Sequence, residues 1–424
     1  MKENHKNLKK VRTKMKKAIA MILALVMICC LFLTGCGSAA QPAPAEKPAE
    51  QPAEQPAEQP AEETEKEIPM EGTIVVGAHE VGTGGYTNVA LQIEGISEVF
   101  PNLKIKALPS GTESTRAYYA RLGEASAFCT GGATPYYLQE GINGYDVLEW
   151  GPQAICSIAY FPHNGYTFGV RASSDIYQIS DLKGKTVAIT PASPSTYTNV
   201  VTFLAFGGLT LDDVTLYEIS SSAMGYEALA DGKIDACFYN VTSAKAYEQE
   251  SSADGVRWLE FDPNDTEGWA RAHAISPIDI PKLTVNGAGI SEDNPKHLMS
   301  SPYPHYCCWA NVDEDTIYIL TKAIWESRDA WAAKDAAMAR EFTMDFNIES
   351  LKATNTPVHP GAVRYYKEIG VWTDEMEAHN AELFAHQKEL AALWEQTVSQ
   401  AQEQKIKSGD FSAFWLAARE KAGF

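Results

Sequence analysis

The chain has 424 residues, 45% of them hydrophobic and 21% charged, with a formal net charge of −20 at pH 7. That length leaves room for two domains of ordinary size. So acidic a balance excludes nucleic acid and anionic lipid as partners held by charge.

The first 35 residues carry eight Lys or Arg (Lys2, Lys6, Lys9, Lys10, Arg12, Lys14, Lys16, Lys17) and a single acid, Glu3. An apolar run follows from Ala18 to Leu33. A basic stretch, an apolar stretch and small residues in that order predict an export signal. The run is shorter than the roughly 20 residues a membrane-spanning helix needs. Leu33-Thr34-Gly35-Cys36 resembles the bacterial lipobox, in which the cysteine is diacylated and becomes the new N-terminus. The resemblance implies a lipid anchor at Cys36 and a body outside the cytoplasm; without its leader the chain would carry about −27. Residues 36–71 repeat Pro-Ala-Glu-Gln, as in Pro48 to Gln51 and Pro52 to Gln55. Frequent proline blocks a helix, like charges stretch the chain and no large apolar residue offers a core. This segment reads as a semi-rigid spacer.

From Gly72 onward strands and helices alternate. Thr73 to Ala78 is a predicted strand, Thr87 to Phe100 a helix with apolar residues at Val89, Ile93 and Ile96, and Leu103 to Ala107 a strand. Arg116 to Gly123 is a predicted helix and Ala125 to Cys129 a strand. Thr186 to Ile189, Val214 to Ile219 and Ile234 to Tyr239 are predicted strands, separated by helices over Ser195 to Phe206 and Met224 to Asp231. This pattern predicts an α/β fold with mainly parallel sheets. From Asp315 to about Arg340, and from Thr373 to Glu403, the periodicity is helical, which predicts a helical C-terminal flank.

Five cysteines fall in the body: Cys129, Cys156, Cys237, Cys307 and Cys308. The sequence has no C-x-x-C, so a zinc ribbon or thioredoxin-like site is unsupported. The first three lie in apolar runs and read as small buried hydrophobes. Cys307-Cys308 is a vicinal pair, for which a strained disulfide stays open as an alternative.

In sheets of this kind ligands bind where strands end and helices begin. Five such loops are rich in glycine and hydroxyls: Gly82 to Tyr86, Ser110 to Arg116, Thr130 to Thr134, Pro191 to Thr196 and Tyr239 to Ser243. Arg116 offers a planar fork suited to a carboxylate, or else pairs with Glu113 on its own first turn. The first loop lacks the full dinucleotide fingerprint, and there is no P-loop, no G-x-S-x-G elbow and no H-E-x-x-H. His163, His305 and His359 stand beside proline rather than in metal-ligand spacing and read as loop or capping residues. The expectation is a binding cleft without catalysis, cofactor or metal.

Several motifs in order resemble the TAXI-type solute receptors of TRAP transporters. They are Gly82-Thr83-Gly84-Gly85, Ser180 to Ala188 (SDLKGKTVA), Gly208 to Val214 (GLTLDDV), Ala228 to Ala236 (ALADGKIDA), Tyr318 to Ala323 and His359 to Ala362. The resemblance runs from about Gly72 to Thr373. It implies a two-lobed type II periplasmic-binding-protein fold that closes on a small solute and docks on a TRAP membrane permease. The cleft loops depart from the family pattern: Gly111 to Arg116, Thr130 to Gly132 and Pro191 to Thr196 each replace a common motif. Family ligands such as glutamate and 2-oxoglutarate are therefore not carried over.

The expected organisation is a leader over 1–35, a linker over 36–71, lobe one over 72–157, lobe two over 158–302, and a return to lobe one with C-terminal helices over 303–424. The expected cleft residues are Thr83, Gly84, Gly85, Tyr86, Thr112, Ser114, Arg116, Thr130, Gly131, Ser193, Ser195 and Tyr239. The expected cargo is a small organic anion anchored by Arg116, and the expected receptor is a monomer. Delivery to an ABC importer or a sensor is the alternative, and an extracytoplasmic enzyme is a third reading.

Overall fold

The computed structural model describes residues 68–162, 165–276 and 279–424. The expected leader, Cys36 and nearly all of the linker lie outside the described residues, as does His163. Among the described residues no helix is long and apolar enough to cross a membrane.

The chain opens with β1 (Gly72–His79), α1 (Gly84–Val99), β2 (Leu103–Ser110), α2 (Glu113–Arg121), β3 (Ala127–Thr130), α3 (Thr134–Glu140) and β4 (Ile155–Pro162). It continues with β5 (Tyr166–Val170), β6 (Thr186–Ile189), α4 (Pro194–Phe206), β7 (Thr215–Glu218), α5 (Ser222–Ala230), β8 (Ala236–Asn240) and α6 (Ala244–Glu250). Next come β9 (Arg257–Trp258), α7 (Thr266–His273), β10 (Ile280–Thr284), β11 (Lys296–Ser300) and β12 (Pro302–Trp309). The helical flank comprises α8 (Glu314–Glu326), α9 (Arg328–Ala332), α10 (Ala336–Glu341), α11 (Met344–Lys352), α12 (Pro360–Glu368), α13 (Asp374–Glu403) and α14 (Phe411–Ala422).

Among the described residues the strands form two sheets. One has the order β2-β1-β3-β12-β4, the other β10-β11-β5-β8-β6-β7 with β9 beside β5. In the first, β1 pairs in parallel with β2 and β3, and β12 runs antiparallel between β3 and β4. The second repeats this plan: β6 pairs in parallel with β7 and β8, and β5 runs antiparallel between β8 and β11. Each sheet takes as its antiparallel insert the strand that has just crossed from the other. This is the doubled architecture of a two-lobed type II periplasmic-binding-protein fold with a helical C-terminal flank.

The sheets are thus mixed, where mainly parallel ones were expected. The crossing strands β5 and β12 enter against the direction set by the strand–helix–strand units. The expected division at residue 157 falls inside β4, which stays in the first sheet to Pro162 because Ile155 to Phe161 is buried throughout. The flank is also more broken than its periodicity suggested. Ser327 ends α8, its Oγ donating to Ala323 O at 2.5 Å, and Asp335 caps a new helix by accepting from Met338 N at 2.9 Å.

Each lobe has an aromatic centre. Phe161 meets Trp325, Phe342 and Trp331 at ring-centroid distances of 5.2, 5.0 and 6.1 Å. Phe203 on α4 meets Phe168 and Phe261 at 5.1 Å each. Cys307 and Cys308 sit on successive positions of β12 and so face opposite sides of the sheet. They belong to different apolar clusters, and all five body cysteines are free and buried. Burial pushes the Cys129 thiol up to about 12, so it carries no thiolate near neutral pH. A chain starting after the linker should therefore resist an aqueous thiol reagent while folded and react at all five positions in guanidinium. Rapid labelling of the native protein would contradict this packing.

Candidate functional site

The starts of α1 to α5 converge on a cavity of about 60 Å³ between the two sheets. Its walls come from both lobes. One side holds His79, Glu80, Thr83, Gly84, Gly111, Glu113, Arg116 and Gly131 to Ala133. The other holds Tyr166, Ser193, Ser195, Thr196, Thr198, Asn199, Ser222, Tyr226, Phe238 and Asn240. Ser276 and Ser301 complete it. Space of this size admits several water molecules or a small polar group, and hydrogen bonds from Ser195 N and Glu113 N join the two lobes beside it.

Close approach between lobes sets two of the glycines. A Cβ on Gly84 would lie 2.5 Å from Asn240 Nδ2, and one on Gly131 would lie 2.7 Å from Ser195 Cβ. Replacing Gly131 by alanine should wedge the lobes apart, because Ser195 sits on a helix start and cannot simply rotate away. A cost of about 1–3 kcal/mol is typical of such overpacking. It should appear as a larger radius of gyration in small-angle scattering; an unchanged radius would show that the contact does not limit closure.

Glu113 organises the cavity. Thr112 caps α2 by accepting from Thr115 N at 3.2 Å, which makes Glu113 the first residue of the helix. Its side chain is only 3% exposed in spite of its charge. Oε1 accepts from Gly131 N at 3.1 Å and Thr130 Oγ1 at 3.3 Å. Oε2 accepts from Thr134 Oγ1 at 2.7 Å and from Ser195 N, in the other lobe, at 2.9 Å. Thr134 has one hydroxyl proton, already given to Glu113, so Ser195 Oγ is the donor in their 2.5 Å contact. In return Ser193 Oγ accepts from Glu113 N at 3.3 Å.

The structure distributes the expected cleft residues unevenly. Thr83, Gly84, Arg116, Gly131, Ser193 and Ser195 line the cavity, whereas Gly85, Tyr86, Thr112, Ser114, Thr130 and Tyr239 stand behind it. Tyr86 packs against the core of the first lobe. Ser114 lies 3.4 Å from Tyr145 OH, and Thr112 and Thr130 serve the start of α2 and its glutamate. Tyr239 is fully buried on the far face of β8, stacked on Tyr226 at 4.1 Å. Its neighbours Phe238 and Asn240 face the cavity instead, as strand alternation requires. Arg116 is buried, with Nε donating to Cys129 O at 2.8 Å and Nη1 to Ser110 O at 3.1 Å. It ties the ends of β2 and β3 together, which weakens its expected role as an anchor for an anion.

Glu113 and Glu80 were missed as cavity residues. The signal for Glu113 was present, since a threonine followed by an acid in the first turn marks a helix start at Thr112 rather than Arg116. Nothing local marks Glu80. Its Oε2 accepts from Ala223 N, near the start of α5 across the cleft, at 3.3 Å. Among the described residues no group of three His, Cys, Asp or Glu could hold a metal. His359 does cap a helix, accepting from Gly361 N at 3.2 Å. His305, expected as a loop or capping residue, lies instead fully buried in β12.

The family model of the NMT1-like family matches residues 127–370, more than half of the chain. The chain belongs to the NMT1-like family. The matched stretch of this NMT1-like chain runs from β3 to the loop after α12 and takes in the whole second sheet. The chain is also similar to solved structures. The alkanesulfonate-binding protein SsuA from Xanthomonas axonopodis pv. citri, bound to MOPS, has 15% identity and a TM-score of 0.40, covering 80% of this chain and 96% of its own. The periplasmic aliphatic sulphonate binding protein SsuA from Escherichia coli has 15% identity and a TM-score of 0.40, covering 79% and 93%. A P235GK mutant of ArgBP from T. maritima has 14% identity and a TM-score of 0.38, covering 64% and 95%. None of these likenesses bears on the cargo of this NMT1-like chain.

Proposed function

We propose that the protein is an extracytoplasmic receptor that captures a small polar solute between its lobes and hands it to a membrane permease. A lipid on Cys36 would hold it to the membrane, and the Pro/Ala/Glu segment would space the body from it. The observation that carries this reading is the cavity between the lobes where helices of both begin, walled by hydroxyls, amides and the rings of Tyr166, Tyr226 and Phe238. Such a cavity binds by orienting small polar groups, and closure shifts populations only as far as the solute prefers the closed form.

The permease would be of the TRAP type, by the resemblance of Gly82 to Gly85, Gly208 to Val214 and Ala228 to Ala236 to TAXI receptors. Delivery to an ABC importer is the second reading. A neighbouring gene for a large permease without an ATPase supports the first, and an ATPase gene supports the second.

The test is mass spectrometry of what the purified protein releases on denaturation, followed by thermal unfolding with that compound added back. A stoichiometric small molecule that raises the melting temperature is the expected result, as a native-state ligand must. Conversion of the compound to a product would make the protein an enzyme and overturn the reading. So would the absence of any retained compound together with no shift across amino acids, organic acids and amines.

A further inference from the structure

We propose that Glu113 is a resident anion of the cleft, which latches the lobes shut without solute and restricts the cargo to small neutral or cationic molecules; the cargo half of this rests on reading the cavity as the solute site. The starts of helices in a cleft would ordinarily be free to receive an acidic group of a ligand. Here the protein supplies that group itself. Both carboxylate oxygens are engaged, one by Gly131 N and Thr130 Oγ1, the other by Thr134 Oγ1 and Ser195 N. A carboxylate offers about four acceptor positions, so the donors of this cradle are matched and none is left for a second anion.

The bonds are reciprocal across the cleft. Ser193, the capping position of α4, makes no side-chain cap to its own helix. Its Oγ accepts instead from the first amide of α2, while the glutamate on α2 accepts from the Ser195 amide near the start of α4. Each helix start is thus completed by the opposite lobe, and opening the cleft breaks both bonds together. Glu80 repeats the device on α5 through Ala223 N.

The charge left facing the cavity follows. Its walls carry Glu80 and Glu113 against Arg116, whose guanidinium is held by the carbonyls of Cys129 and Ser110. Two carboxylates against one guanidinium leave the walls with a net negative charge, which disfavours a carboxylate or sulfonate relative to an ammonium or a neutral molecule.

The test uses the full chain in mild detergent, with sodium acetate replacing sodium chloride at constant ionic strength. Glu113→Ala removes the carboxylate and leaves its donors in place. It should expand the chain in small-angle scattering and acquire a saturable, acetate-dependent rise in melting temperature of about 2–5 °C. Acetate should also restore compactness, and the parent should do neither. An acetate response in the parent as large as in E113A, or equal radii of gyration for the two, overturns the latch. Should E113A not fold, Glu113→Asp withdraws the carboxylate by one methylene; an E113D chain as compact as the parent overturns it equally. The cargo half is read by comparing n-propylamine with propionate on the parent. A larger stabilisation by the amine, lost in Glu113→Gln, is expected, and preference for propionate refutes it. Acetate rescue of E113A, with no solute retained by the parent and no shift of its melting temperature across amino acids, organic acids and amines, would sustain the latch while removing the receptor reading.

Discussion

Replacing Glu140 by alanine should lower the unfolding free energy by about 3–5 kcal/mol, the usual result of leaving one partner of a buried ion pair alone. Glu140 ends α3 and is 2% exposed. Its Oε2 accepts from Arg419 Nη2 at 2.6 Å, and its Oε1 accepts from Gln139 Nε2 at 3.0 Å and lies 2.7 Å from His386 Nε2. Arg419 belongs to α14 and His386 to α13, so one carboxylate holds two flank helices against the first lobe. Trp415 Nε1 adds a bond to Gly141 O at 2.7 Å, and Gln387 Nε2 donates to Ile155 O at 2.6 Å. In E140A the Arg419 guanidinium stays buried without its carboxylate. The double variant E140A/R419M should recover much of the loss, since it removes the stranded charge and keeps apolar volume. Urea unfolding reads both through the midpoint at unchanged slope. A loss below about 1 kcal/mol in E140A would mean that the pair behaves like an exposed one.

The lobes were readable in the sequence because each strand–helix–strand unit is a local pattern. Apolar periodicity switches between two and 3.6 residues within one stretch, as it does from β1 into α1. The crossing strands were not. Tyr166 to Val170 and Pro302 to Trp309 are apolar runs like their neighbours, and only tertiary pairing decides that both run antiparallel within otherwise parallel units. The cavity was readable to the level of loops but not of faces. In Ala236 to Asn240 both faces are covered, so no alternation of polarity tells Tyr239 from Phe238, and a shift of one residue exchanges wall for core. Arg116 and Glu113 exchanged roles for a related reason. Composition identifies a charged loop, whereas the position of a helix cap decides which charge points across the cleft.

Stability should fall by about 2 kcal/mol from pH 7 to pH 5 through three buried groups acting together. His305 is fully buried in β12, stacked on Tyr160 at 3.8 Å with Nε2 3.0 Å from Ser157 Oγ. Burial lowers its pKa from 6.5 to about 3. His359 is lowered to about 4, again chiefly by burial. Below about pH 6.5 the unfolded chain protonates these imidazoles while the folded chain does not. The unfolded state then binds more protons, and stability declines as pH drops toward the folded values. Asp279 opposes this. Burial raises its carboxyl from 3.8 to about 6, although Tyr166 OH donates to Oδ1 at 2.5 Å. Between about pH 4 and 6 the folded state holds a proton that the unfolded state has lost, so this contribution weakens as pH rises. Two histidines against one aspartate leave a net slope of about 1.4 kcal/mol per pH unit over that range. Asp279→Asn should therefore stabilise the protein by up to about 3 kcal/mol at pH 7.5 and by little at pH 4, and it should steepen the acid limb. His305→Gln should flatten that limb whatever its cost at neutral pH. Urea midpoints collected from pH 4 to 8 separate the two effects. A D279N gain that is equal at both ends of the range, or an acid limb unchanged in H305Q, would show that neither proton is taken up where burial places it.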